Sequence, residues 1–147
     1  MPVHRVGPYT ISDDPTRLDL HAIHAYLSRS YWSPGVPFEV IARAVGGSLC
    51  IGAYDAGEAQ VGLARFVSDY ATYCYVCDVY VLEDHRGRGL SKALLQMAFE
   101  HPMLQGLRRW SLVTDDAHGL YRQFGFVPVA HPERHMELRK PDIYRAR

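Results

Sequence analysis

The residues whose types and spacing best suit chemistry are Arg86-Gly87-Arg88-Gly89-Leu90-Ser91. They follow the apolar run Val76-Cys77-Asp78-Val79-Tyr80-Val81-Leu82 and open an amphipathic stretch. A strand, a short glycine-containing loop and a helix, in that order, make an anion-binding architecture. The first turn of a helix offers N–H groups with no internal partner, and its dipole adds partial positive charge at the same end. Glycine lets a pyrophosphate approach the backbone closely, and two guanidinium groups add charge-assisted bonds. A glycine turn flanked by two solvated arginines is the plainer alternative. The chain holds no G-x-x-x-x-G-K-[ST] and no G-x-G-x-x-G, which sets aside a P-loop and a dinucleotide Rossmann site.

The elements that must position this loop follow from periodicity. Thr10 to Asp14 is expected as a short strand. Asp14-Pro15-Thr16 then starts a helix running to about Arg29, with Leu20, Ile23, His24 and Leu27 at helical spacing. A second helix spans Pro37 to Val45 and stops at Gly46-Gly47. The pattern then changes to strands: Ser48–Tyr54, a turn at Asp55-Ala56-Gly57-Glu58, Gln60–Ser68, and Tyr73–Leu82. Leu90 to His101 is an amphipathic helix ended by Pro102. Arg109–Val113 is a strand, Asp116–Gln123 a short helix closed by Gly125, and Phe126–Val129 and His135–Leu138 are candidate last strands. Together these give a mixed α/β chain with an antiparallel meander. No linker or repeat divides residues 1–147, so one domain is expected.

Composition excludes several function classes. Lys plus Arg and Asp plus Glu each number 16, so no global basic field points to nucleic acid and no charge block to a membrane surface. No apolar run reaches the length of a spanning helix. The start Met1-Pro2-Val3-His4-Arg5 has no apolar core of a signal peptide, which makes the cytoplasm the expected compartment. Cys50, Cys74 and Cys77 are too few, and odd in number, for a disulfide scaffold. Cys74 and Cys77 face opposite sides of one strand, so neither a redox pair nor a zinc knuckle is expected. His21 and His24 lack further ligands, and no metal site is assigned.

The arginine–glycine segment resembles motif A of the GNAT superfamily, the general-control-type N-acetyltransferases. That motif reads Gln/Arg-x-x-Gly-x-Gly/Ala, and Arg86, Gly89 and Ser91 hold its defined places, Ser91 standing for Gly or Ala. About thirty residues on, Leu120-Tyr121-Arg122-Gln123-Phe124-Gly125-Phe126 resembles motif B. The resemblance implies a GNAT-like α/β (α+β) fold: a mostly antiparallel sheet with a central, splayed parallel strand pair and helices on both faces. It implies acetyl-CoA as co-substrate, with no metal, and transfer of the acetyl group to a primary amine by direct attack.

Residue by residue, it implies that the backbone of Val79 and Val81 pairs with the pantetheine arm and acetyl carbonyl. Arg86, Gly87, Arg88, Gly89, Leu90 and Ser91 hold the pyrophosphate, and Thr114 contacts the pantetheine arm. The Val79 N–H would steady the tetrahedral oxyanion, and Tyr121 would act as general acid toward the departing thiolate. Asp78 is unusual as a carboxylate in an apolar strand. Strand alternation sets it opposite Tyr75 and Cys77, unless a bulge turns it toward the acceptor. It is either a base or a structural ion-pair partner. Tyr31, Trp32 and Tyr75 are expected to line the acceptor side. Asp115 and Asp116 are expected as caps of the following helix. The resemblance makes a homodimer common, and a small-molecule or peptide amine the acceptor. A protein or aminoacyl-tRNA acceptor, and a non-catalytic acyl-CoA-binding regulatory module, are the alternatives.

Overall fold

A computed structural model describes residues 3–146; Met1, Pro2 and Arg147, the ends of the expected domain, lie outside the described residues. The chain falls into two compact units, Met1–Leu112 and Val113–Arg147.

The first unit is built on strand alternation. Its described residues form a six-stranded sheet in the order β1 (Val3–Val6), β2 (Tyr9–Ser12), β3 (Leu49–Tyr54), β4 (Gln60–Ser68), β5 (Tyr73–Val81) and β6 (Arg109–Ser111). Every neighbouring pair is antiparallel except β5–β6, which is parallel. β1 was not expected. Its residues are exposed or half-buried, so it carries no apolar alternation to announce it. The β3–β4 turn is held by Asp55, whose carboxylate accepts the N–H groups of Gly57 and Ala59. Gly52 in β3 is required by packing, since a Cβ there would stand 2.5 Å from the Tyr54 hydroxyl.

Helices cover both faces of this sheet. α3 (Leu90–Glu100) buries Leu90, Leu94, Leu95, Met97 and Ala98. On its side, Phe66 of β4 and Phe99 of α3 both pack on Trp110 of β6. α1 (Leu20–Leu27) and α2 (Phe38–Gly46) lie on the other face, where Tyr26 stacks on Tyr80 of β5 with centroids 4.0 Å apart.

The single helix expected from Asp14 to Arg29 is broken in two. Asp14 caps a 3-10 turn at Pro15–Arg17, and Asp19 caps α1 by accepting the Ala22 N–H. Two capping carboxylates five positions apart each begin their own element, with extended backbone at Leu18 between them.

The second unit holds α4 (His118–Arg122), with turns on either side. The expected strands Phe126–Val129 and His135–Leu138 are not formed. Pro128 removes a ladder donor from the first, and Pro132–Arg134 winds into a 3-10 turn just before the second. As a result β6 ends the strand order, and the parallel pair stands at one side of the six-stranded sheet.

Candidate coenzyme and acyl-transfer site

The site begins where β5 loses its parallel neighbour. β6 pairs with Tyr73, Cys74 and Tyr75 only, so Val76 to Val81 run on without a β6 partner. Pairing stops where the family resemblance implies a splay, and one row of β5 backbone groups is left without a β6 partner. Which groups stand there follows from alternation. The Leu82 N–H donates to Val61 O on β4. Successive peptide groups along a strand point to opposite edges, so the N–H groups of Val79 and Val81 face away from β4, into the splay. The Val81 carbonyl on that side is already taken, accepting Arg86 Nε at 3.0 Å.

The loop after β5 forms the anion cradle. A 3-10 turn spans Glu83–His85, and α3 starts at Leu90 with Gly89 as its N-cap. Gly87 and Gly89 have φ of 77° and 79°, a conformation that favours glycine, and a Cβ on either would meet nothing within 4 Å. The first helical bond runs from Ala93 N to Gly89 O. The N–H groups of Leu90, Ser91 and Lys92 are therefore the free ones of the first turn, and no side chain caps them. Val81, His85, Arg86, Gly87, Gly89, Leu90, Ser91 and Lys92 enclose a shallow cavity of about 150 Å³. Open space before two left-handed glycines, free amides and flanking cations fits a pyrophosphate.

The two arginines divide their labour in a way the sequence did not show. Arg86 folds back onto the protein, its Nη2 donating to the Tyr26 hydroxyl at 3.0 Å. Arg88 is not part of the cavity lining; its guanidinium lies 5.9 Å from the Tyr9 ring centroid. His85 and Lys92, which were not singled out, do line the cavity. Lys92 had a legible signal: it is the third residue of the helix whose start the glycines mark. His85 Nδ1 lies 2.8 Å from the Tyr9 hydroxyl, a contact between residues 76 positions apart that local pattern cannot reveal.

Above the opposite part of β5 stands an aromatic and polar group. Trp32 packs edge-on against Tyr31 and near Tyr26. Tyr31 is 55% exposed. Trp32 Nε1 donates to Asp78 Oδ1 at 2.8 Å, and Arg65 Nε donates to Asp78 Oδ2 at 2.7 Å. Simple alternation, which set Asp78 opposite Cys77, is thus corrected. The β4–β5 register shifts by one residue between Cys77 and Tyr80, and Asp78 adopts φ of 50°. The bulge carries its side chain to the face of Arg65, the residue directly opposite Cys77. Burial works against charge on Arg65, yet Asp78 overrides it and the guanidinium pKa is raised. Burial likewise raises Tyr75 and pushes the Cys77 thiol up to about 12. All three cysteines are free. The described residues contain no cluster of three or more His, Cys, Asp or Glu able to hold a metal, and no helix among them is long and apolar enough to cross a membrane.

In the second unit, Thr114 Oγ1 accepts the Ala117 N–H at 3.1 Å just before α4. Thr114 supplies the helix-entry bond expected of Asp115 and Asp116, because α4 begins at His118, too far along for either to cap it. Tyr121 is buried on α4, with its ring edge-on to Phe126 at 5.8 Å. Gly125, at φ of 93°, turns the chain between them.

Known proteins place this architecture. A model described as the Acetyltransferase (GNAT) family matches residues 13–126. A GNAT-family structure from Xanthomonas campestris pv. campestris, assigned as an acetyltransferase, is 47% identical with a TM-score of 0.89. It covers 92% of this chain and 96% of that one. A Gibberella zeae protein named as an acetyltransferase is 34% identical over 78% of this chain and 76% of its own length. A Staphylococcus aureus structure, at 22% identity and TM-score 0.69 over 90% and 98% of the two chains, shares the fold. With both motifs inside the matched span and a glycine-hinged cradle beside a splayed strand pair, this chain belongs to the GNAT family of acetyltransferases.

Proposed function

We propose that this protein moves an acetyl group from acetyl-CoA to a primary amine on a small molecule or peptide. The observation that carries this is the uncapped, glycine-hinged start of α3 lying next to the unpaired part of β5. One end of that arrangement suits a pyrophosphate. The other offers strand N–H groups to an extended amide arm and an acyl carbonyl.

In this scheme the free amides of Leu90, Ser91 and Lys92, with Gly87 and Gly89 giving access, take the pyrophosphate. Arg86 shapes the loop, while Arg88 and Lys92 add positive charge. The Val79 and Val81 backbone holds the arm, and Thr114 adds a contact to it. The neutral amine attacks the thioester carbonyl carbon, so a C–N bond forms and the C–S bond breaks. Negative charge on the carbonyl oxygen in that passage is met by the Val79 N–H. The thiolate leaves with a proton from Tyr121, and the amine nitrogen gives up its extra proton to water. Tyr31, Trp32 and Tyr75 form the acceptor wall. Asp78, a candidate base by residue type, already receives two donors.

Thermal stabilisation by acetyl-CoA and by free CoA tests the coenzyme site. A ligand at a hundred times its Kd adds about 2.7 kcal/mol to stability. The shift should shrink in the Arg86→Ala/Arg88→Ala double variant, and no shift at millimolar ligand overturns the proposal. A screen of amines for thiol release, with Tyr121→Phe alongside, then tests transfer. Turnover of small amines that collapses in Tyr121→Phe supports the mechanism. Coenzyme binding without turnover of any amine favours a binding module.

A further inference from the structure

Asp78 is the only charged residue of β5, and it is 9% exposed with φ of 50°. A buried carboxylate in left-handed backbone inside an apolar strand runs against two preferences at once. Its partners account for it. Arg65 reaches it from β4 and Trp32 from the loop between α1 and α2, while Arg65 Nη1 also donates to Ser48 Oγ at 3.0 Å. One carboxylate therefore joins two strands and the loop that carries the aromatic wall.

The register shows what this does to the reacting end of the strand. From Ser68↔Cys74 to Arg65↔Cys77 the pairs run evenly; beyond the bulge Leu63 faces Tyr80. Had the even register continued, Leu63 would face Val79. Val79 would then hold the place Tyr80 holds, with its N–H turned into the β4 ladder. The extra residue inverts that parity and turns the Val79 N–H into the splay. Without the bulge, alternation would also send the Asp78 carboxylate to the α3 face, against apolar side chains. Asp78 and its two donors thus favour the bulged register over the even one.

We propose that Arg65, Asp78 and Trp32 form a positioning strut that fixes the β5 bulge and so aims the Val79 N–H at the acyl carbonyl; Asp78 is not the proton acceptor. This rests on the acetyl-transfer scheme above. Each Asp78 oxygen already holds one donor, and a proton taken up there would cancel the ion pair with Arg65.

The test compares acetyl-CoA with CoA, which lacks the acetyl carbonyl, by calorimetry, together with the 13C shift of acetyl-CoA labelled at that carbonyl. In the unaltered protein, acetyl-CoA should bind more tightly than CoA, and its carbonyl resonance should move on binding. In Asp78→Ala and in Trp32→Phe, the preference for acetyl-CoA should fall by roughly threefold to tenfold, the worth of one hydrogen bond. The resonance should return toward its free value, and CoA affinity should fall less than acetyl-CoA affinity. Trp32→Phe removes one N–H but keeps an aromatic ring, so it carries the comparison should Asp78→Ala not fold. Folded variants that keep both the preference and the resonance shift overturn the strut. An unaltered protein that binds neither ligand, or binds acetyl-CoA without a resonance shift, overturns the acetyl-transfer scheme instead, and the strut with it.

Discussion

The two ends of α3 are finished in opposite ways. At its start the cap is Gly89, no side chain reaches back, and the first-turn amides face a cavity. At its finish side chains close the end. The His101 ring accepts the Met103 N–H on Nδ1, so Nε2 carries the proton and donates to Asp13 Oδ2 at 2.8 Å. Gln105 donates to the carbonyls of Phe99 and His101. One helix therefore has an end closed by side chains and an end whose amides stay open, where the proposed function seats the coenzyme. Under that proposal stability and binding are spatially divided, and substitutions at the two ends should fall into two classes.

The largest effect is expected at the closed end. His101→Ala leaves Asp13 buried without its ring partner and should cost about 3 kcal/mol in urea unfolding. The folded fraction should bind acetyl-CoA as before; weakened binding would break the division. At the open end, Gly89→Ala forces a side chain into left-handed backbone, at about 1 kcal/mol. Its methyl stands where a phosphate approaches, so acetyl-CoA affinity should fall about tenfold. Equal affinity in that variant would deny the open end its role. Gln105→Ala should cost about 1 kcal/mol by chemical denaturation, with coenzyme affinity untouched.

The smallest effect belongs to Glu83, just before the open end. The bond from Arg29 holds its carboxyl at about 2, against the usual 4.5. Because the folded value is depressed, its contribution is present above pH 4.5 and fades as pH falls through about 2. NMR titration of the Glu83 carboxyl should show that low midpoint, and Arg29→Ala should return it toward 4.5. Both side chains are about half exposed, so overall stability should barely change.

The open end was the legible one. Glycines beside a helical apolar pattern mark it in the linear chain, and β3, β4 and β5 followed from alternation with a turn between the first two. The closed end was invisible, since His101 and Asp13 are 88 positions apart and meet only through the fold. The same holds for the strut, where Trp32 finds Asp78 across 46 positions. Local pattern misled where two short-range preferences competed. Asp14 and Asp19 each capped their own turn, splitting one expected helix. Prolines overrode the apolar runs after Gly125.

Arg86 carries a last consequence. Its guanidinium ties the end of β5 to α1 through Val81 O and the Tyr26 hydroxyl. Those two partners are neutral and call for a planar nitrogen donor of sufficient reach, while Glu83 Oε1 stands 4.0 Å from Nη2 and meets its charge. Motif A admits either arginine or glutamine here, and those two side chains share that donor and little else. The position is thus a geometric requirement first, and the charge arginine brings adds only the longer contact with Glu83.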